Sequence, residues 1–253
     1  MVNICLTFDN NYVKYVLTLC NSINIHNKKV YFHFIINNVD SETQYYLAKK
    51  LNDQCQFYHN IPDIDPNKMY EGKRLNSYAI YNTLYIATLL KDIDRVLYLD
   101  VDSLVISDLS DIYNINTGVK GIAAVMDYGN NDLFELINNQ GKMAIPFIKQ
   151  GKEVFNNSVM VMDLKKLREN NADEIMQYIA RKFITSDMVA QNVYANGEWE
   201  RLDRKWCVSA NHVKLKLFKG IMQKDFKILT WHGEHKPWNT GHMRRHWENY
   251  ECY

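Results

Sequence analysis

The chain lacks the residues that build disulfide frameworks, membrane spans and nucleic-acid-binding faces. Its 253 residues hold only five cysteines (Cys5, Cys20, Cys55, Cys207 and Cys252), an odd number with no Cys-x-x-Cys pair. That pattern argues against a stapled scaffold or a cysteine-built zinc site and for reduced thiols. No stretch approaches the ~20 apolar residues needed to span a bilayer. No N-terminal signal segment is visible, because Met1 leads into a strand-like run with Asp9 close behind. The expectation is a cytoplasmic protein, peripheral at a membrane at most. Lysine and arginine total 30 against 29 acidic residues, a net charge of +1, which gives no electrostatic case for nucleic acid. The local cluster Arg244-Arg245-His246 reads as a solvated tail, and the glycosylation sequon Asn156-Asn157-Ser158 as a chance match. Four prolines, ten glycines, no repeat and no low-complexity tract leave no convincing linker, so residues 1–253 are read as one domain.

What is present is a β-α alternation. Asn3 to Phe8 reads as a buried strand ending at Asp9, and apolar residues from Tyr12 to Ile25 recur at helical spacing. Lys29 to Ile36 is a second strand. Ser41 to Leu51 is a helix with Ser41 as N-cap and Gln44 placed as in a capping box. Gln56 to His59 is a third short strand. This order predicts an α/β fold with a mostly parallel sheet flanked by helices. Ile61 to Lys73 reads as a loop and Asn76 to Leu90 as a long helix. Strands are expected at Arg95–Leu99, Ile122–Met126, Ser158–Met162 and Phe226–Trp231. Helices are expected near Leu164–Glu169, Ala172–Phe183 and Ser186–Tyr194, while Tyr128 to Gly151 has no clear pattern.

The most informative stretch is Arg95-Val-Leu-Tyr-Leu-Asp-Val-Asp-Ser-Leu-Val105, an apolar run that stops on two carboxylates. In an extended chain Asp100 and Asp102 point the same way. Two hard oxygen ligands there suit Mg²⁺ or Mn²⁺, and such an ion usually also holds phosphates. The competing reading is a solvated loop after a core strand. In an open α/β sheet ligands bind beyond the carboxyl ends of the strands. Three predicted strands end on carboxylates: Asp9, Asp100 with Asp102, and Asp127.

Five ordered blocks carry a resemblance: LTFDNNY at 6–12, RVLYLDVDSLV at 95–105, FNNSVMVMDLKKLRE at 155–169, LDRKWCV at 202–208 and GEHKPW at 233–238. Together they resemble family 8 of the retaining glycosyltransferases, with the GT-A nucleotide-diphospho-sugar transferase fold. The resemblance implies a hexosyltransferase that moves glucose or galactose from a UDP-sugar to a hydroxyl on a glycan, with a divalent metal. It implies that Thr7, Asp9, Asn11 and Tyr12 cradle the uridine. Asp100 and Asp102, with Val101 between them, would hold Mn²⁺ or Mg²⁺ on the diphosphate. Asn156 and Asp127 would lie beside the sugars, and Asp187 would bind donor hydroxyls. Gly233 and Lys236 would belong to a loop folding over the phosphates, Gly233 by allowing close backbone approach.

Several positions depart from the family pattern. Its third metal ligand, a histidine, falls on Thr230; His232, two residues on, is the expected substitute, with His235 its rival. An arginine that contacts the nucleotide is replaced by Thr83. The family's acidic-Gln-acidic cluster reads Asp187-Met188-Val189, and a thioether offers no amide oxygen. Gln191, four residues beyond Asp187 on the same helical face, is the expected stand-in. These departures keep two alternatives open: a relative that binds UDP-sugar but transfers poorly, and a metal-dependent nucleotidyltransferase. The second expects a Gly-rich loop after the first strand, which Asp9-Asn10-Asn11-Tyr12 is not.

Overall fold

A computed structural model describes residues 1–65, 77–127, 129–130, 132–140, 143–146, 148, 150–212, 223–233, 235–239 and 241–251. Of the expected features, Asn76, Cys252, residues 66–73 of the Ile61–Lys73 loop and Glu234 of the last block lie outside the described residues. So do residues 128, 131, 141–142, 147 and 149 of the segment left unassigned.

The expected alternation opens the fold: β1 (Val2–Asp9), α1 (Val13–His26), β2 (Val30–Asn37), α2 (Ser41–Lys50) and β3 (Cys55–His59). After them come α3 (Ile86–Leu89), β4 (Arg95–Leu99), β5 (Ser103–Val105), α4 (Ser110–Tyr113), β6 (Ile122–Met126) and α5 (Leu133–Gln140). The chain continues through β7 (Phe155–Asp163), α6 (Leu164–Glu169), α7 (Ala172–Phe183), α8 (Asp187–Ala195) and β8 (Glu200–Arg201). It ends with β9 (Val208–Ser209), β10 (Ile228–Thr230) and α9 (Arg244–Glu248).

The central sheet has the order β3-β2-β1-β4-β7-β6-β8. β1 pairs in parallel with β2 from Val2↔Val30 to Asp9↔Asn37, and also with β4; β3 pairs in parallel with β2 and β8 with β6. β7 alone runs antiparallel to both its neighbours, β4 and β6. β4 shows why its apolar run is continuous. Val96 and Tyr98 pack into the core layer that holds Met160 and Met162, and Leu97 and Leu99 into the opposite layer with Val159 and Val161. A strand covered on both faces has no polar side to alternate with. A second sheet, β5-β10-β9, is capped by Trp231 and Trp247, both fully buried. Among the described residues no helix is long and apolar enough to cross a membrane.

Local chemistry shifts several expected boundaries. Asp40, rather than Ser41, caps α2, accepting from the Thr43 N–H at 2.7 Å. Gln44 closes no capping box; its amide donates to the Val39 carbonyl at 2.8 Å. The long helix expected to Leu90 is a 3-10 helix over Tyr78–Tyr85 before it becomes α3. Its buried Asn82 anchors it. The Asn82 side chain donates to Asn37 Oδ1 at 2.6 Å and accepts from Asn60 at 3.0 Å, which pins the segment to the end of β2. Ser186 caps α8 from outside it, and Phe226–Trp231 contracts to β10.

Candidate active site

The carboxyl ends of β1 and β4 open into a cleft of about 200 Å³. Thr7, Tyr12, Asp100, Val101, Asp102, Asp187 and Lys236 line it, all of them expected from the sequence. Ser77, Tyr98 and Asn157 line it too and were not expected.

Asp100 and Asp102 follow the strand, as expected, but in a turn rather than in extended chain. β4 ends at Leu99, and the pair forms a turn closed by the Ser103 N–H on the Asp100 carbonyl at 3.0 Å. Two anchors fix this turn: Asp100 N–H donates to Ser158 O at 2.9 Å, and Trp231 N–H donates to Asp102 O at 3.2 Å. Burial, and then the Asp102 charge, push the Asp100 carboxyl up to about 7. Tyr98 partly offsets this by donating its hydroxyl to Asp100 Oδ1 at 2.7 Å. The Tyr98 hydroxyl also lies 3.3 Å from Thr7 Oγ1, which joins the ends of β1 and β4.

Lys236 supplies a cation. Its ammonium donates to Asp102 Oδ2 and, at 3.0 Å, to the Trp231 carbonyl. Burial works to lower this ammonium, but the Asp102 charge and hydrogen bond outweigh it and hold it above the usual lysine range. Gly233 sits at φ 74°, a left-handed conformation that glycine adopts without strain. Among the described residues, its chain neighbours aside, no atom lies within 4 Å of a Cβ built there, so its backbone conformation calls for glycine.

The donor set of the acidic pair fits a hard divalent ion: two carboxylates share a half-buried turn, with Lys236 bonded to one of them. The expected third ligand, His232, stands in the same polar cluster and is hydrogen bonded within the protein. His232 Nε2 lies 2.9 Å from Thr230 Oγ1 and Nδ1 lies 3.5 Å from Ser158 Oγ. Burial favours the neutral imidazole. His235 is exposed, and its carbonyl accepts from Asn211 at 2.8 Å. Among the described residues no three His, Cys, Asp or Glu side chains group as a metal cluster.

Asp9 accepts from the Asn11 N–H at 2.9 Å, the turn expected at the end of β1. Asn11 itself is exposed. Asp127 and Asn156 are a buried pair beside the cleft. Asn156 donates to Asp127 Oδ2 at 3.2 Å, while Asp127 Oδ1 accepts from the N–H groups of Gly129 and Asn130. Asp187, on the first turn of α8, accepts from Thr83 at 3.3 Å and from Asn157 at 2.8 Å. Burial raises its carboxyl to about 6. Gln191 shares that helical face as expected but is fully buried beneath the cleft, its Oε1 accepting from Asn157 at 3.0 Å. The residue that reaches the cleft is Asn157. The only signal for it was a second asparagine in the FNNSV block.

A sequence model described as Glycosyl transferase family 8 matches residues 3–241. A probable glycosyl transferase, Gly, of Streptococcus gordonii is 24% identical over 94% of this chain. The aligned region is 32% of that relative's length, so the chain spans about a third of it. The probable galacturonosyltransferase-like 8 of Arabidopsis thaliana is 24% identical over 100% of this chain and 72% of its own. Among solved structures, the galactosyltransferase LgtC in complex with donor and acceptor sugar analogues superposes with a TM-score of 0.79. It is 18% identical, over 99% of this chain and 95% of that one, a likeness that establishes the fold.

Proposed function

The chain belongs to glycosyl transferase family 8, and from that premise we propose a retaining hexosyltransferase built as a single GT-A domain. It takes glucose or galactose from a UDP-sugar to a hydroxyl on a glycan acceptor, in the cytoplasm or peripheral at its membrane. The observation that carries this reading is the convergence of Asp100, Asp102, Lys236 and Asp187 on the wall of one cleft. Anionic and cationic groups face the place where a diphosphate would lie, and a hydrogen-bonding carboxylate faces the place where its sugar would lie.

A Mn²⁺ or Mg²⁺ ion on Asp100 and Asp102 would neutralise charge that grows on the diphosphate. Lys236 leaves Asp102 for a phosphate oxygen as a point charge. Thr7, Asp9, Asn11 and Tyr12 hold the uridine end, with Val101 and Gly233 along the diphosphate. Asp187 accepts from donor-sugar hydroxyls, and the Asp127–Asn156 pair borders the sugars. The C1–O bond breaks with its electrons leaving on the diphosphate. The acceptor oxygen bonds C1 on the same face, and its proton passes to the departing phosphate oxygen. Asp187 also bears on the donor: a carboxylate in the cleft suits neutral hexose hydroxyls better than the carboxylate of a uronate.

The test measures UDP release from UDP-glucose and UDP-galactose, with Mn²⁺ and with chelator. Metal-dependent release is the expected result, and no release from either donor overturns the reading. The second reading, a UDP-sugar binder with weak transfer, is favoured by the burial of Gln191 away from the cleft. It requires UDP to bind while release stays at background.

A further inference from the structure

We propose that Asn157 turns its side-chain carbonyl oxygen toward the reacting end of the donor sugar, giving the cleft an amide dipole that Met188 and Gln191 do not supply. This rests on the hexosyltransferase reading and names a catalytic residue within it.

The placement has a cause in the sheet. The β6–β7 ladder is regular up to Ala124↔Met160 and resumes at Val125↔Asn156. Residues 157–159 therefore have no partner on β6, an irregularity of the kind that re-aims side chains beside active sites. Asn157 sits at this break, half-buried, on the wall of the cleft that Asp100, Asp102 and Asp187 also line.

The orientation follows from its partners. The Nδ2 group donates to Asp187 Oδ2 at 2.8 Å and to Gln191 Oε1 at 3.0 Å. A primary amide has two N–H donors, and these two acceptors use both. An ionised carboxylate accepts only, so the amide cannot turn its oxygen toward Asp187 without losing a charge-assisted bond. The carbonyl oxygen is therefore held on the side away from Asp187 and Gln191. When the diphosphate leaves, positive charge develops on the anomeric carbon, and a fixed carbonyl dipole directed there stabilises it without reorganising. Gln191 is fully buried and serves this arrangement from below; Met188 is partly buried against the core.

The experiment compares wild type with Asn157→Ala and Asn157→Ser. Turnover is followed on UDP-glucose and UDP-galactose with Mn²⁺, UDP affinity by calorimetry, and the fold by thermal midpoint. The expected result is a kcat lower by on the order of 100-fold in both variants. UDP affinity should stay within about twofold of wild type, because the amide acts on the transition state rather than on the nucleotide. A kcat within about threefold of wild type in either folded variant overturns the inference alone. So does a loss of UDP affinity that parallels the loss of kcat, because that marks a structural role. The Ser variant keeps a small polar side chain at the strand break and serves where the Ala variant does not fold. A wild type that binds no UDP overturns the underlying reading, and the inference with it.

Discussion

Lys236 and Asp102 are 134 residues apart in the chain, and the ammonium of one donates to the carboxylate of the other at the mouth of the cleft. Both side chains are mostly buried. The lysine stands where the proposed reaction needs a cation, so the contact balances the acidic turn until substrate arrives.

Lys236→Ala should separate these two duties. Without ligand, the variant removes from Asp100 and Asp102 the one lysine or arginine that lines the cleft among the described residues, and breaking such a pair costs a few kcal/mol, about 3 at the upper end here. The thermal midpoint in chelator should fall. Added Mn²⁺ should then raise it more in the variant than in wild type, since the ion replaces the missing charge. UDP affinity should fall by about 10- to 100-fold, the worth of a hydrogen bond to a charged group. Equal Mn²⁺ responses in both proteins would show that the lysine does not balance the acidic pair.

The loop that carries Lys236 is folded tightly on itself. Gly241 donates to the Lys236 carbonyl at 2.9 Å. A Cβ at 241 would lie 2.8 Å from that oxygen and 2.7 Å from Trp231 Cδ1. Trp238, two residues after the lysine, stacks on Tyr15 of α1 with ring centres 3.6 Å apart. Gly241→Ala must push the backbone aside at a cost of about 1–3 kcal/mol. The expected outcome is a thermal midpoint lower by several degrees, together with a raised KM for the UDP-sugar as Lys236 is displaced. A midpoint drop with unchanged KM would show that the loop does not position the lysine.

Asp173 offers a pH test away from the cleft. It lies in the first turn of α7 with 4% of its surface exposed, and Oδ2 accepts from the Thr88 N–H at 2.8 Å. Burial raises its carboxyl from 3.8 to about 6. The folded chain therefore holds this proton more tightly than the unfolded chain does. The stabilisation is complete below pH ~4 and is lost as pH rises to ~6. A shift of this size is worth roughly 3 kcal/mol. Asp173→Asn keeps an acceptor for Thr88 and removes the charge. Denaturant unfolding should show the variant more stable than wild type at pH 7.5, with the gap closing near pH 4. A gap independent of pH would mean that the buried charge is not its cause.

The limits of sequence reading are physical. The β4 run was legible because a strand covered on both faces must be apolar throughout and must end where solvent begins, and the acidic pair marks that end. The reversed direction of β7 was not legible, because a buried strand has the same composition whether it runs parallel or antiparallel. The depth of Gln191 was not legible for a related reason. Helical spacing placed it on the face of Asp187, which is correct, but spacing says nothing about depth, and Gln191 lies a layer below. Asn157 escaped notice because its exposure depends on a ladder break that no local pattern encodes. The anchoring of Tyr78–Tyr85 likewise includes Asn82 bonding to β2, a contact 45 residues away in sequence.

Asp102→Asn is the most direct test of the acidic turn. The substitution removes one charge and keeps nearly the same shape. It leaves Asp100 with a neutral neighbour, so the Asp100 carboxyl, raised by burial and by the Asp102 charge, should fall back toward the ordinary aspartate range. Lys236 loses its ionic partner but keeps the Trp231 carbonyl, so the loop should stay in place. The fold should survive, with a midpoint close to wild type. Mn²⁺-dependent UDP release should drop by at least about 100-fold, because one carboxylate among neutral donors holds a hard divalent ion poorly. Calorimetric titration with Mn²⁺ in the presence of UDP reports the same loss without relying on turnover. Metal-dependent release at the wild-type level in a folded Asp102→Asn protein would show that the turn is a solvated loop after a core strand and that the diphosphate is held elsewhere.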